Sequence, residues 1–392
     1  MEVDGGMEVD GGKIVPDLPA AMNNDGNLFK PLTENVYMRA VEELRREGKI
    51  APSTFLYDPN DYLKHVFTFS GTVLKMCFTS AFFWFLMVVN IVVSIIYYSV
   101  KFNHENFDGA FETGRFPYIS NYIYNVLGGM VSFMLVFHAS DCYARFFQQY
   151  GTVRAVEINI NNVLNLLRTH LPDDAFEGAG DLRTTVAKWV VAQMYLGFGW
   201  LPTYRENQVD EWAWERVNEY GLIGLYEKQH LMALPVGEYP ITEITTSCTQ
   251  LLFKFVRMGK LDGGIAGEIG AEISGIENNF LTLYATTEQP VPFAMYHYIT
   301  FINNTWLLLC AYQWVFYSYY WGIIAFFLNA LAFQGLRELS NNLAEPFGND
   351  DTDIPVFDFV VKWHTRVDNF IHMPVRLGKE LSAKHLDAAP TA

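Results

Sequence analysis

From Gln289 to Leu336 the chain carries no Asp, Glu, Lys or Arg. One bilayer span needs roughly 20 apolar residues, so this run holds about two. The turn between them is expected at Tyr312–Trp321, the densest Tyr and Trp cluster in the chain. Those side chains concentrate where a membrane meets water. Met76–Val100 and Phe116–Ser140 are two more uncharged blocks. The second is less apolar because of Asn121, Asn125, Gly128 and Gly129. Together the blocks predict four spans in two hairpins. Trp189–Tyr204 is also apolar, but it is short, broken by Gly197 and Gly199, and ends at Pro202. It is expected as a buried helix outside the membrane.

An even number of spans puts both termini on one side. Lys64, Lys75, Arg145, Arg154 and Arg337 flank the spans there, whereas the loop Lys101–Arg115 carries Glu105, Asp108 and Glu112. The positive-inside rule assigns the termini to the cytoplasm or its equivalent. Plasma membrane, organelle and thylakoid all stay open.

Composition supports a membrane protein. Hydrophobic residues make up 51% and charged residues 18%, below the usual quarter. A net charge of -16 argues against a nucleic-acid partner. It leaves anion transport open, because selectivity depends on the field inside a pore. The four cysteines, Cys77, Cys142, Cys248 and Cys310, form no C-x-x-C pair and read as small buried hydrophobes. The nine histidines have no metal-ligand spacing. No phosphate-binding glycine loop or nucleophile motif appears, so no enzyme is indicated. Met1–Gly6 is repeated as Met7–Gly12 and reads as a disordered acidic tail, with neither a signal nor a transit peptide pattern.

These signals divide the chain into five parts. Residues 1–65 form a tail and cytoplasmic segment, 66–150 the first hairpin and 151–288 a cytoplasmic helical domain. Residues 289–340 form the second hairpin and 341–392 an acidic turn with a C-terminal tail. Within the helical domain, apolar spacing predicts helices at Val153–Leu171, Leu222–Leu234, Ile241–Met258 and Ile265–Tyr284. No strand pattern is convincing. The fold class is an all-α membrane protein.

In the second block, Gly129, Phe133 and Phe137 recur every fourth residue and share one helical stripe. The stripe suits a pore lining or ordinary helix packing. Asp141 and Arg145 continue it and are expected to pair at i, i+4. A vestibule-facing placement is the other reading.

Four motifs carry a family resemblance. They are Phe69-Ser-Gly-Thr72 before the first span, the second-span pattern ending in Arg145-Phe-Phe-Gln-Gln-Tyr150, Pro290-Val-Pro-Phe293 before the third, and Pro346-Phe-Gly followed by Asp350, Asp351 and Asp353. In this order they resemble the bestrophins over about Phe69 to Pro355. Departures include His138, where bacterial and plant members usually carry Arg, and Phe146-Phe147, where animal members have two Trp.

The resemblance implies a homopentameric channel in the lipid bilayer, passing chloride along one fivefold axis, with bicarbonate as a second candidate ion. It implies a hydrophobic neck at Gly129, Phe133 and Phe137, with glycine replacing a usual bulky residue. A lower cytoplasmic aperture falls at Gly264 or Ile265, where the ordinary reading is a glycine-rich turn. A Ca²⁺ clasp would use Asp350 and Asp353, with the Asn342 amide and the Glu345 carbonyl; the plain alternative is a solvated acidic turn. A non-conducting scaffold is the rival function.

Overall fold

The lack of charge in the apolar blocks and the 3.6-residue spacing elsewhere leave helix as the regular structure throughout, and a computed structural model shows this. It describes residues 34–53, 60–61, 67–103, 116–117, 120–235, 237–316 and 321–372. The duplicated tail and most of the Lys101–Arg115 loop lie outside the described residues. No strand occurs among the described residues.

Helix α1 (Glu34–Arg46) precedes the membrane-side helices α2 (Val73–Thr79), α3 (Ala81–Asn103) and α4 (Asn121–His170). The block Met76–Val100 is not one helix. Ser80 adopts an extended conformation (φ -76, ψ 119) and separates α2 from α3. Below the membrane side come α5 (Ala179–Gly199), α6 (Pro202–Glu206), α7 (Val209–Glu219), α8 (Leu225–Met232), α9 (Pro240–Arg257) and α10 (Gly263–Glu288). The chain then returns through α11 (Phe293–Gln313), a 3-10 turn at Trp314–Phe316, and α12 (Trp321–Ala344), and closes with α13 (Val356–His372). The turn of the second hairpin thus falls within the aromatic cluster, of which 317–320 lie outside the described residues.

Helix α4 runs unbroken for 50 residues, about 75 Å at 1.5 Å per residue. It passes through Gly151 without a break, so the boundary drawn there interrupts no secondary structure. Two cores flank it. The smaller gathers Phe83, Leu86, Val131, Leu307, Cys310 and Phe326 from α3, α4, α11 and α12. The larger takes Val153, Val156, Ile160, Val163 and Leu167 of lower α4 together with α1, α5 to α10 and α13. Helix α5 is buried at every position from Val190 to Gly199, as expected of a core helix. All four cysteines are buried and free.

Among the described residues, three helices are long and apolar enough to cross a membrane: Ala81–Val100, the stretch Tyr122–His170, and Trp321–Ala344.

Candidate functional site

The two adjacent glycines of α4 face different surroundings. A Cβ on Gly128 would lie 2.6 Å from Trp306 Cζ2, so α4 and α11 touch only because that side chain is missing. A Cβ on Gly129 would meet nothing within 4 Å. Gly129 belongs to the uncovered face. Phe133 and Phe137 share that face, 65% and 54% exposed. Their ring centroids are 4.5 Å apart, tilted by 58°. On the opposite side Val131, Leu135, His138 and Cys142 are buried. The three predicted neck residues therefore line one stripe that their own chain leaves open.

Asp141 ends the uncharged part of α4, and Arg145, one turn further on, does not pair with it. The Arg145 Nε donates to the carbonyl of Ala344 at 2.9 Å, and Nη2 donates to the carbonyl of Thr286. Ala344 ends α12, and Thr286 lies in the last turn of α10. Helix C-termini present unsatisfied carbonyls and partial negative charge, which a guanidinium answers twice over. That double demand outcompetes an exposed carboxylate one turn away, worth only a few tenths of a kcal/mol. Asp141 is exposed and forms no ion pair among the described residues.

The acidic turn begins one residue after Ala344. Pro346, Phe347 and Gly348 are buried, and Ile354 N–H donates to the Pro346 carbonyl at 2.9 Å to close the loop. Asp350 N–H donates to Asp353 Oδ2 at 2.9 Å. A Cβ on Gly348 would lie 2.8 Å from the same oxygen, so the Pro-Phe-Gly glycine is set by this close approach. Asp353 is 7% exposed. Its Oδ1 has no hydrogen-bond partner among the described residues. Burial, helped by the Asp350 and Glu345 charges, pushes its carboxyl up to about 7. Asp351 behaves in the opposite way. Gly71 N–H donates to its Oδ2 at 3.0 Å and Lys75 pairs with it. The Lys75 hydrogen bond holds its carboxyl below the usual range.

Asp350 and Asn342 share a polar cavity of about 280 Å³ with Lys75, Gly71 and Glu338. Among the described residues no three His, Cys, Asp or Glu side chains gather closely enough to hold a metal ion. The fit to a divalent cation rests on the unpartnered Asp353 oxygen and on carbonyl and amide donors, which Ca²⁺ accepts.

Gly264 and Ile265 open α10 at the far end of the large core. Asp262 caps the helix, accepting from Gly264 N–H at 2.8 Å and Ile265 N–H at 3.3 Å. Gly264 is exposed, and Ile265 is half-buried against the core.

Residues 57–369 match the family model described as bacterial/fungal bestrophin protein. The chain belongs to that family. Bestrophin-like relatives extend the match. An anion channel-forming protein named YneE, described as voltage-dependent, is 21% identical in Salmonella typhi over 75% of this chain and 86% of its own. The Salmonella typhimurium protein of the same name matches equally. The crystal structure of a bacterial bestrophin homologue from Klebsiella pneumoniae superposes with a TM-score of 0.63 at 16% identity. That match covers 74% of this chain and 98% of the homologue.

In this bestrophin the four sequence motifs, far apart in the chain, meet in one belt. Gly71 of the first motif holds Asp351 of the fourth. Arg145 of the second ties α10 and α12 together. His138, Pro290, Phe293 and Glu345 line one cavity of about 370 Å³. Sequence reasoning missed Lys75 and Asp351 as partners. The available signal was Lys75 itself, one helical turn past Gly71 and unpaired in its own segment.

Proposed function

We propose that this bestrophin is an anion channel built from five copies around a common axis, with α4 innermost. Helices α3, α4, α11 and α12 form four spans, and both termini share the cytoplasmic or equivalent side. Helix α11 falls short of the other three in apolar character because it carries His297, Asn303, Asn304 and Gln313. Asn303 and Gln313 are fully buried inside the bundle, which suits a span that neighbouring helices shield from lipid.

The observation that carries this reading is the open Gly129–Phe133–Phe137 stripe. Large apolar rings left uncovered by their own chain mark an interface or a pore lining. Rings around an axis form a hydrophobic constriction that gates by dewetting. A phenyl ring is negative on its faces and positive at its edge, so edges turned inward favour a weakly hydrated anion without binding it tightly. Chloride and bicarbonate are the permeant ions assigned. Gly129 makes the upper ring of the neck wide. Gly264 and Ile265 form a second, lower aperture. We assign the chain no catalysed reaction.

At the acidic turn, Asp350, Asp353, Asn342 and the Glu345 carbonyl would hold Ca²⁺, whose charge would stabilise the ionised Asp353. Lys75 already neutralises Asp351 beside them.

Planar-bilayer recording of the purified protein tests the whole reading. Wild type is expected to carry an anion-selective current. Phe133→Ala with Phe137→Ala is expected to change rectification or anion preference, and Asp350→Asn with Asp353→Asn to remove any calcium dependence. Absence of anion current at every calcium concentration would leave a non-conducting scaffold. Unchanged current in the double phenylalanine variant would remove the neck assignment.

A further inference from the structure

A third cavity, of about 420 Å³, lies away from the α4 stripe and the acidic turn. Ligand pockets start at roughly 300 Å³, so its size admits a small molecule. Trp200, Trp214 and Tyr239 supply its aromatic walls, Arg205 one cation, and Glu238 and Glu288 two carboxylates. The Arg205 guanidinium is held over the Trp200 ring, 4.6 Å from its centroid. Among the described residues Arg205 forms no ion pair, although both carboxylates line the same cavity. The cavity therefore presents a positioned positive group and separate negative groups that do not neutralise one another.

The aromatic walls are fixed by the core behind them. The Tyr239 ring lies 5.2 Å from that of Tyr284. The Tyr284 hydroxyl in turn donates to the Gly197 carbonyl at 2.9 Å, which sets the end of α5 and Trp200 just beyond it.

We propose that this cavity binds a small zwitterion, a molecule with an anionic group and an ammonium a few atoms apart. Arg205 takes the anion, for which a planar guanidinium is suited. The ammonium lies among the indole and phenol faces, as cations do in aromatic cages, with Glu238 and Glu288 supplying negative charge. A molecule with only one of the two charges leaves one set of groups unanswered.

Two sources have this chemistry: a zwitterionic phospholipid headgroup and a free α-amino acid. The position favours the headgroup. Glu288 lies five residues before Phe293, the first residue of membrane-side α11. The adjoining helix α8 exposes Leu225, Tyr226 and Met232 at 71%, 80% and 62%. Trp, Tyr and Arg are the side chains that collect at a headgroup layer.

The test is calorimetric titration of the full-length protein in an uncharged detergent. The probes are glycerophosphocholine, phenylalanine, choline chloride and inorganic phosphate. At least one zwitterion is expected to bind about tenfold or more tightly than choline or phosphate, a difference of about 1.4 kcal/mol. Arg205→Gln and Glu238→Gln with Glu288→Gln are each expected to remove that preference while the melting temperature stays unchanged. Binding of glycerophosphocholine alone assigns the lipid source, and binding of phenylalanine alone the free amino acid. The proposal is overturned if neither zwitterion outbinds its single-charge fragments, or if both variants bind as wild type does. If a variant unfolds, Trp200→Phe, which keeps the aromatic wall and loses the indole N–H, serves in its place and is expected to weaken binding without abolishing it.

Discussion

Above Arg145, helix α4 leaves Val126, Met130, Phe133 and Phe137 uncovered, whereas below Tyr150 its apolar residues Val153, Val156, Ile160 and Leu167 are buried. Both halves have apolar residues at helical spacing. The difference lies in what the rest of the chain supplies. The lower half packs against α5, α10 and α13, and two of its asparagines find partners on α10. Asn159 and Asn162 donate to Glu272 at 2.7 and 3.1 Å, and Asn279 donates to Asn159 at 2.9 Å. The upper half has neighbours on one side only, α11 and α12, which bury Val131 and, through Trp306, fill the space at Gly128. A soluble domain finishes its own core, and a subunit of a membrane assembly stops halfway round. On the proposed function, the open half faces another copy, lipid or a permeating ion.

Breaking the junction between the halves is expected to have the largest effect. Arg145→Ala strips the Ala344 and Thr286 carbonyls of a charged donor. A hydrogen bond to a charged group contributes about 1.5–3 kcal/mol, so the loss of two should reach roughly 3–6 kcal/mol. Thermal melting in detergent checks this; a loss below 1 kcal/mol would mean the junction is held otherwise.

Gly128→Ala comes next. Its methyl would enter the Trp306 ring, and overpacking of this kind costs about 1–3 kcal/mol. A neutral result would show that α11 yields easily and that the upper contact is loose.

The third test probes the closed lower core through pH. His364 is buried, its ring stacked 3.9 Å from Tyr37, and Tyr195 Oη lies 3.1 Å from its Nδ1. Burial drops its pKa to about 4, against an ordinary 6.5. The folded protein keeps the ring neutral while the unfolded chain binds a proton. The His364 contribution to stability is therefore whole above pH 6.5 and is lost on acidification towards pH 4, by about 1 kcal/mol per pH unit. The raised Asp353 carboxyl acts in the opposite sense, so Asp353→Asn serves as the background in which His364→Gln is expected to flatten the melting temperature across that window. An unchanged slope would assign the acid sensitivity to other groups.

Gly129→Ala has the smallest expected effect on stability. Nothing lies within 4 Å of the new methyl, so the change should stay within about 0.5 kcal/mol. Its consequence should appear in conductance instead, as a narrower upper ring. A destabilisation like that of Gly128→Ala would place Gly129 in a packed contact.

The helices and the stripe were legible in the sequence because charge-free length and 3.6-residue spacing are local properties. The hairpin turn at the aromatic cluster and the core character of Trp189–Tyr204 were read the same way. The Arg145 partner was not. Spacing shows which groups lie one turn apart, but Ala344 and Thr286 reach Arg145 only through the tertiary fold. The same limit hid the Lys75–Asp351 pair. The break at Ser80 was also invisible, since neither proline nor glycine marks it.

The absence of any break at Gly151 has a mechanical meaning. A joint would let the two ends of α4 turn independently. An uninterrupted ladder of backbone hydrogen bonds resists torsion, so α4 acts as a drive shaft about 75 Å long. A rotation imposed on the lower end would be carried to Phe133 and Phe137, with the Arg145 hydrogen bonds as the restraint it must first release.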